Sequence, residues 1–141
     1  MNPMVGGLMS IHLTTVRPDD SIRYAFRLLC ARRIRHLLVM EDARMVGIVT
    51  DRDIRLALPA LPFVADVAEM YLKLDDIKVR NVMTRDVVTV SPGMPLRDAV
   101  DLFLKHTISA LPVVDETGVV GIFTETDALR ALRKMLEAPV P

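Results

Sequence analysis

A chain that repeats itself over fifty residues is bound to fold as two copies of one unit. Residues 9–58 align with 83–132 without a gap, at an offset of 74, and 17 of the 50 positions are identical. Self-similarity of that extent marks duplication of a whole supersecondary element. The best-matched stretch is Gly47-Ile48-Val49-Thr50-Asp51-Arg52-Asp53-Ile54, which returns as Gly121-Ile122-Phe123-Thr124-Glu125-Thr126-Asp127-Ala128. Each copy reads as a buried strand that runs into a tight polar turn and starts a helix.

The same order of signals is legible in both repeats. A short extended piece, Leu13 to Val16 or Val87 to Val90, is stopped by Pro18 or Pro92. An amphipathic helix follows, with Ile22, Ala25, Phe26 and Leu29 at i, i+3, i+4 and i+7, and Leu96, Ala99, Val100 and Phe103 at the same spacing. Asp20 or Ser21 suits the cap of the first helix, and Pro95 suits the first turn of the second. Two apolar runs then predict paired strands: His36 to Met40 with Met45 to Val49, and Ala110 to Val114 with Val119 to Phe123. Their near-continuous Val, Ile and Leu content predicts a sheet covered on both faces. A second helix follows Thr50 and stops at Pro59; its counterpart follows Thr124 and extends toward Leu136. The expectation is an α/β (α+β) fold of two β-α-β-β-α motifs, at 5–58 and 79–135. Residues 59–78 form a linker, with a connecting helix from Val64 to Leu74. The C-terminal Ala138-Pro-Val-Pro is expected to fray.

Composition narrows the function. The formal net charge is zero, which argues against non-specific nucleic-acid binding. Residues 1–58 hold nine Arg against six acids, whereas 79–141 hold seven basic residues against eight acidic, so only the first part leans toward anions. Cys30 is the single cysteine, so no disulfide forms within the chain and a cytoplasmic setting is expected. Its place on the first amphipathic helix predicts a buried thiol. The longest apolar run, Leu56 to Ala65, is interrupted by Pro59 and Pro62 and is too short to span a membrane. Met1 to Leu8 lacks the basic region of a signal peptide. His12, His36 and His106 are scattered, and neither a zinc motif, a nucleophile–base pair nor a Walker-type loop is present, so neither a metal site nor an enzyme is expected.

The duplicated junction suits a nucleotide. A fixed carboxylate accepts two hydrogen bonds from a ribose diol, a role open to Asp53 and Asp127. A helix N-terminus offers free N–H groups to phosphate, and Thr50 and Thr124 stand where helices begin. Gly47 and Gly121 permit close approach of backbone or ligand. Thr15-Val16 and Thr89-Val90 can line an apolar slot for a base. Arg52 or Arg55 can meet phosphate in the first repeat, while Glu125 opposes it in the second, with Arg130 the nearest compensating charge. A structural reading stands beside this one: T-x-x-D is also a capping box, which starts a helix without any ligand. Likewise Arg32, Arg33, Arg35 and His36 follow the first helix, where cations complement its C-terminus.

The repeat order, the G-h-x-h-T-x-x-D-h signature (h, apolar) and the preceding x-T-V-x-P resemble the cystathionine β-synthase (CBS) domain family. The resemblance covers essentially the whole chain, as two motifs in tandem, an arrangement called a Bateman module. It implies two motifs packed about a pseudo-twofold axis, two ligand clefts and a flat homodimer. It also implies a sensor of AMP, ADP, ATP or S-adenosylmethionine that regulates a separate protein and requires no cofactor. The implied ligand residues are Thr15, Val16, Gly47, Thr50, Arg52 and Asp53 in the first motif. In the second they are Thr89, Val90, Ala110, Pro112, Gly121, Thr124 and Asp127. Pro112 fits a proline common in the family; Leu38 replaces it in the first repeat. By charge, the cleft on Thr50 and Asp53 is the expected site of a charged nucleotide. The alternative is a ligand-independent dimerisation or interaction scaffold.

Overall fold

The computed structural model describes residues 2–57, 73–137 and 139. Most of the expected connecting helix, the stop at Pro59 and nearly all of the C-terminal tail lie outside them; residues 73–76, at the linker's end, are helical. The chain forms two compact units, Thr14–Val87, and Met1–Leu13 with Val88–Pro141. They are called the first and second unit below. The fold is mixed α/β.

In the first unit, β1 (Thr15–Val16), β2 (His36–Glu41) and β3 (Arg44–Thr50) form one sheet in the order β1-β2-β3. β1 runs parallel to β2, and β2 runs antiparallel to β3. Its described helices include α1 (Ile22–Arg32), α2 (Asp51–Ala57) and the short α3 (Val79–Val82). Ser21 caps α1 by accepting the Tyr24 N–H at 3.1 Å, while Asp20 accepts from the Arg17 N–H instead. Ile22, Ala25 and Leu29 of α1 enter a core with Val16, Leu37, Val39, Val49 and Ile54. Cys30, expected inside, is exposed, because it falls outside that buried Ile22/Ala25/Leu29 stripe.

The second unit repeats this plan. α4 (Leu96–His106) packs with β4 (Ala110–Asp115), β5 (Gly118–Thr124) and α5 (Glu125–Glu137). Pro95 stands at the N-cap rather than in the first turn. The third strand is reduced to a single bridge, Val90 to Val113, matching Val16 to Val39 at the offset of 74. Phe103 and Phe123 stack at 5.8 Å in a core with Val5, Val90, Ala99, Leu111 and Val113. Both hairpins carry an irregularity at the same place, after Val39 and after Val113. Their turns differ. Asp42 and Ala43 both take positive φ, the primed turn that matches strand twist. The other turn relies on Gly118 at φ 122° and on Asp115, which accepts the Thr117 hydroxyl and N–H. Those bonds, the hydroxyl first, hold the Asp115 carboxyl below its usual range.

The units cut the chain differently from the sequence repeats, for a specific reason. The opening segment of each motif is built into the other one. Ser10 exchanges two 2.9 Å backbone bonds with Ile122 of β5, and Thr84 exchanges bonds of 2.9 and 3.0 Å with Ile48 of β3. Val5 and Val79, both fully buried, seal the second and first cores respectively. The two signature glycines make this possible. A Cβ on Gly121 would lie 2.4 Å from the Met9 Sδ and 2.9 Å from the Ser10 carbonyl oxygen. On Gly47 it would lie 2.8 Å from both the Met83 Sδ and the Thr84 carbonyl oxygen.

Alanine at either glycine therefore forces a backbone bridge apart. Gly121→Ala is expected to cost about 1–3 kcal/mol and lower the melting temperature. Gly93→Ala, where a Cβ meets nothing within 4 Å, leaves it nearly unchanged. Thermal unfolding followed by circular dichroism checks the difference; equal melting of the two variants would refute the close-approach role.

Candidate ligand site

Strand register decides which implied residues can face a common ligand. Alternate side chains of a strand take opposite faces. Thr15, Leu38 and Ile48 stand in one row across the first sheet, and His36 and Thr50, two residues along, share their face. Val16, Val39 and Gly47 form the next row, on the opposite face. The second unit shows the same division: Ala110 with Thr124 and Pro112 with Ile122 on one face, Val90, Val113 and Gly121 on the other. Val16 and Val90 are 3% and 5% exposed in their cores, so only their backbone is available to a ligand. The backs of Gly47 and Gly121 are filled by Met83 and Met9. Thr15 and Thr89 are exposed; Thr50, Asp53, Thr124 and Asp127 are half-buried; Ala110 and Pro112 are buried.

The Thr–Asp pairs make reciprocal caps. The Asp53 Oδ2 accepts the Thr50 N–H at 2.9 Å, and the Thr50 Oγ1 accepts the Asp53 N–H at 3.1 Å. The Asp127 Oδ2 accepts the Thr124 N–H at 2.9 Å and the Thr124 hydroxyl at 3.1 Å, and the Thr124 Oγ1 accepts the Asp127 N–H at 3.3 Å. The capping reading of T-x-x-D is thus realised in both repeats. Each cap uses one carboxylate oxygen. The other, Oδ1, stands 3.5 Å from the Arg130 Nη1 in Asp127 and is unengaged among the described residues in Asp53.

Charges around the first junction are arranged differently from the sequence expectation. Arg55 is held by Asp51 of its own helix at 2.7 Å, in an i,i+4 pair, which removes it as the first choice for phosphate. Arg52 is exposed, and so is Glu125 at the second junction. Arg33 and Thr107 close α1 and α4 in the left-handed conformation, at φ 54° and 52°. His36 is no helix-end cation. It is the buried first residue of β2, opposite Thr50.

Two hollows are lined by residues within single units. One, of about 910 Å³, lies in the first unit at the hairpin end of β2, between Thr15, Val16, Asp20 and Tyr24 and the turn Glu41-Asp42-Ala43. It includes Thr15 and Val16 but none of Gly47, Thr50, Arg52 or Asp53, which stand toward the other end of the strand pair. The second, about 380 Å³, lies in the second unit between Gly7-Leu8 and the face of α5 that carries Asp127. Sequence reasoning did not reach Gly7 or the distal half of α5. The signal available was an inequality between the repeats: Arg130, Arg133 and Lys134 align with Leu56, Pro59 and Ala60. Among the described residues no three His, Cys, Asp or Glu side chains come together to hold a metal ion, and no helix is long and apolar enough to cross a membrane.

Fold and junction together define a tandem β-α-β-β-α protein with a capped Thr–Asp turn in each copy. The CBS domain family matches residues 5–60 and 79–134, and the chain belongs to that family. A CBS domain-containing protein of Dictyostelium discoideum is 38% identical over 144 residues, covering 100% of this chain and 98% of the relative. An inosine-5'-monophosphate dehydrogenase of Nitrosopumilus maritimus is 33% identical over 86% of this chain, but the match takes in only 23% of that enzyme. Among solved structures, the CBS domain pair of protein MJ0100 in complex with 5'-methylthioadenosine and S-adenosyl-L-methionine superposes with a TM-score of 0.79 at 28% identity, over 96% of this chain and 99% of that one. The protein CBSX2 in complex with AMP gives 0.76 at 30% identity, over 95% and 98%.

His36 gives the first junction a pH response. Burial, reinforced by the Arg35 charge and opposed by Asp51, lowers its pKa from 6.5 to about 4. The neutral ring is therefore the native form, and the unfolded chain binds the extra proton between those values. This contribution to stability is complete above pH 6.5 and is lost as pH falls toward 4. Between pH 7 and pH 5 the loss is about 2 kcal/mol. His36→Ala, with the residue found at the matching Ala110, is expected to flatten that part of the stability profile. Urea melts of both proteins at the two pH values test it, and identical slopes would refute the assignment.

Proposed function

We propose that this protein is a regulatory sensor that binds an adenosine-containing ligand (AMP, ADP, ATP or S-adenosylmethionine) and modulates a separate protein in trans. The observation that carries the reading is the geometry of the two signature carboxylates. Each caps its helix through Oδ2 and leaves Oδ1 outside the cap, without a partner among the described residues in Asp53 and only 3.5 Å from the exposed Arg130 in Asp127, so a ribose diol can be accepted without dismantling the helix start. The solved CBS pairs that hold AMP or S-adenosyl-L-methionine support the choice of ligand class. In this reading Thr50 and Thr124 lie by ribose or phosphate, and Arg52 meets phosphate. Thr15, Val16, Thr89, Val90, Ala110 and Pro112 border the base, Val16 and Val90 through backbone groups. Gly47 and Gly121 keep the junction close to its flanking segment. Regulation follows if ligand binds one arrangement of the module better than another. The protein acts in the cytoplasm, needs no cofactor and performs no chemistry of its own.

We also read the protein as a homodimer. Leu129, Leu132 and Leu136 recur at i, i+3 and i+7 on α5, and each is at least half exposed. An apolar stripe of that kind is a protein-facing surface. The same stripe favours the second reading, a ligand-independent scaffold. Leu132→Asp is expected to convert a dimer to monomer in light scattering coupled to gel filtration; an unchanged mass would refute this interface.

A thermal-shift panel of AMP, ADP, ATP, NAD and S-adenosylmethionine separates sensor from scaffold. A ligand at a hundredfold excess over its Kd stabilises the native state by about 2.7 kcal/mol. Asp53→Asn and Asp127→Asn are preferred to alanine, since the amide oxygen still caps the helix while the charge is gone. Each is expected to weaken binding at its own junction about tenfold. Arg52→Glu weakens a charged nucleotide at the first. No shift with any of the five at millimolar concentration would leave the scaffold reading in place.

A further inference from the structure

The smaller hollow in the second unit carries an inference about which part of a nucleotide it holds. Asp127, Arg130 and Lys134 lie at i, i+3 and i+7, one face of α5, with Arg133 beside them and Gly7-Leu8 across the hollow. The run from Asp127 to Lys134 covers about 10 Å of helix, comparable with the reach of a polyphosphate from its ribose.

The three cations are weakly engaged by protein. The Arg130 Nη1 is 3.5 Å from the Asp127 Oδ1, and the Arg133 Nε is 3.7 Å from the Glu137 Oε1, both beyond good hydrogen-bond length. The Arg side chains are 72% and 78% exposed, so those pairs hold them loosely. Lys134 makes no ion pair among the described residues. Three cations face two acids. The favourable position of a cation in a last helical turn accounts for Lys134. It does not account for Arg130, nor for a hollow closed by Gly7 and Leu8. Shared ancestry of the repeats does not account for it either, because the matching positions are Leu56, Pro59 and Ala60. Glu125, set against phosphate by the sequence, is exposed and does not line the hollow.

We propose that this hollow is a polyphosphate site. Arg130, Arg133 and Lys134 contact the phosphates of a nucleoside di- or triphosphate whose ribose sits on Asp127. The ribose half of the proposal rests on the sensor reading given above; the anion half does not. It reverses the charge-based expectation that the first repeat is the better site for a charged nucleotide. Binding is expected to strengthen from adenosine to AMP to ATP and to fall with added salt.

Calorimetric titration of the whole protein with ATP, adenosine and inorganic tripolyphosphate, at low and moderate salt, tests both halves. Arg133→Gln/Lys134→Gln removes two exposed charges, and an unchanged melting temperature shows that the fold is kept. The double variant is expected to bind ATP and tripolyphosphate at least tenfold more weakly and adenosine as the parent does. Asp127→Asn is expected to weaken ATP and adenosine but not tripolyphosphate. ATP binding that responds to Asp127→Asn and ignores the double variant would overturn the polyphosphate site while leaving the sensor reading intact. Tripolyphosphate bound through Arg133 and Lys134, with ATP no tighter and adenosine unbound, keeps the anion site and removes the nucleoside. Failure of both ATP and tripolyphosphate to bind overturns the proposal outright.

Discussion

Each hairpin in this protein is completed by a backbone bridge to the segment that opens the other repeat. Ser10 pairs with Ile122, and Thr84 with Ile48. The bridge requires a glycine one residue earlier on the hairpin strand, since any side chain at Gly47 or Gly121 would occupy the place of a methionine and a carbonyl oxygen. Much else depends on it. It sets Val5 and Val79 as core residues of units to which their own repeats do not belong. It also fixes the strand end from which Thr50 and Thr124 begin their helices. Neither sequence repeat is therefore a finished folding unit without the leader of the other. That gives the duplication a structural use beyond repeating the Thr–Asp junction.

The junction that follows caps a helix with one pair of side chains, the same pair that the sensor reading assigns to recognition. A carboxylate that only caps would be as well served by Glu or Gln at that position. Asp is shorter. Held by its cap through Oδ2, it stays close to the strand end; Oδ1 has no partner among the described residues in Asp53 and faces only the exposed Arg130, at 3.5 Å, in Asp127. Cap and ligand role are thus compatible, because they use different oxygens. The consequence is mechanical: a ligand bound to Asp53 or Asp127 bears on the first turn of α2 or α5. In the second unit that helix also presents Leu129, Leu132 and Leu136 to solvent. Under the proposed reading, the signature carboxylate and an exposed apolar stripe share one helix.

Most of the fold was legible in the sequence. The offset of 74, the amphipathic helices and the paired strands all follow from apolar spacing, and that spacing is local. The exchange of leaders was not legible, because the partner of Ser10 or Thr84 lies in another part of the chain and no local pattern encodes it. The glycines did carry a trace, as positions that demand close approach, but the sequence does not say what approaches. At the two junctions, the Thr–Asp cap was legible and the facing of the flanking residues was not. Thr15 and Val16 are neighbours in sequence yet lie on opposite faces, so only one side chain of each such pair is available. Cys30 was misplaced for a related reason: a helix stripe has edges that composition does not mark. His36 was placed at the start of its strand, but its burial was not legible.

The two repeats share a backbone plan and have diverged in charge. Where the first buries His36 opposite Thr50, the second has Ala110 opposite Thr124. Where the first follows its signature Asp with Leu56 and then two apolar residues, the second follows with Arg130, Arg133 and Lys134. Neither difference is needed to fold the unit, since the other copy folds without it. These substitutions leave the scaffold alone and alter the electrostatics of matched junctions, which is where ligand discrimination would act under the proposed sensor reading. A neutral imidazole under one helix start and a cationic face beside the other leave two junctions of one design unequal in charge. A module with unequal sites can respond to two ligands or to two forms of one, whereas a symmetric pair would register only how much of a single ligand is present.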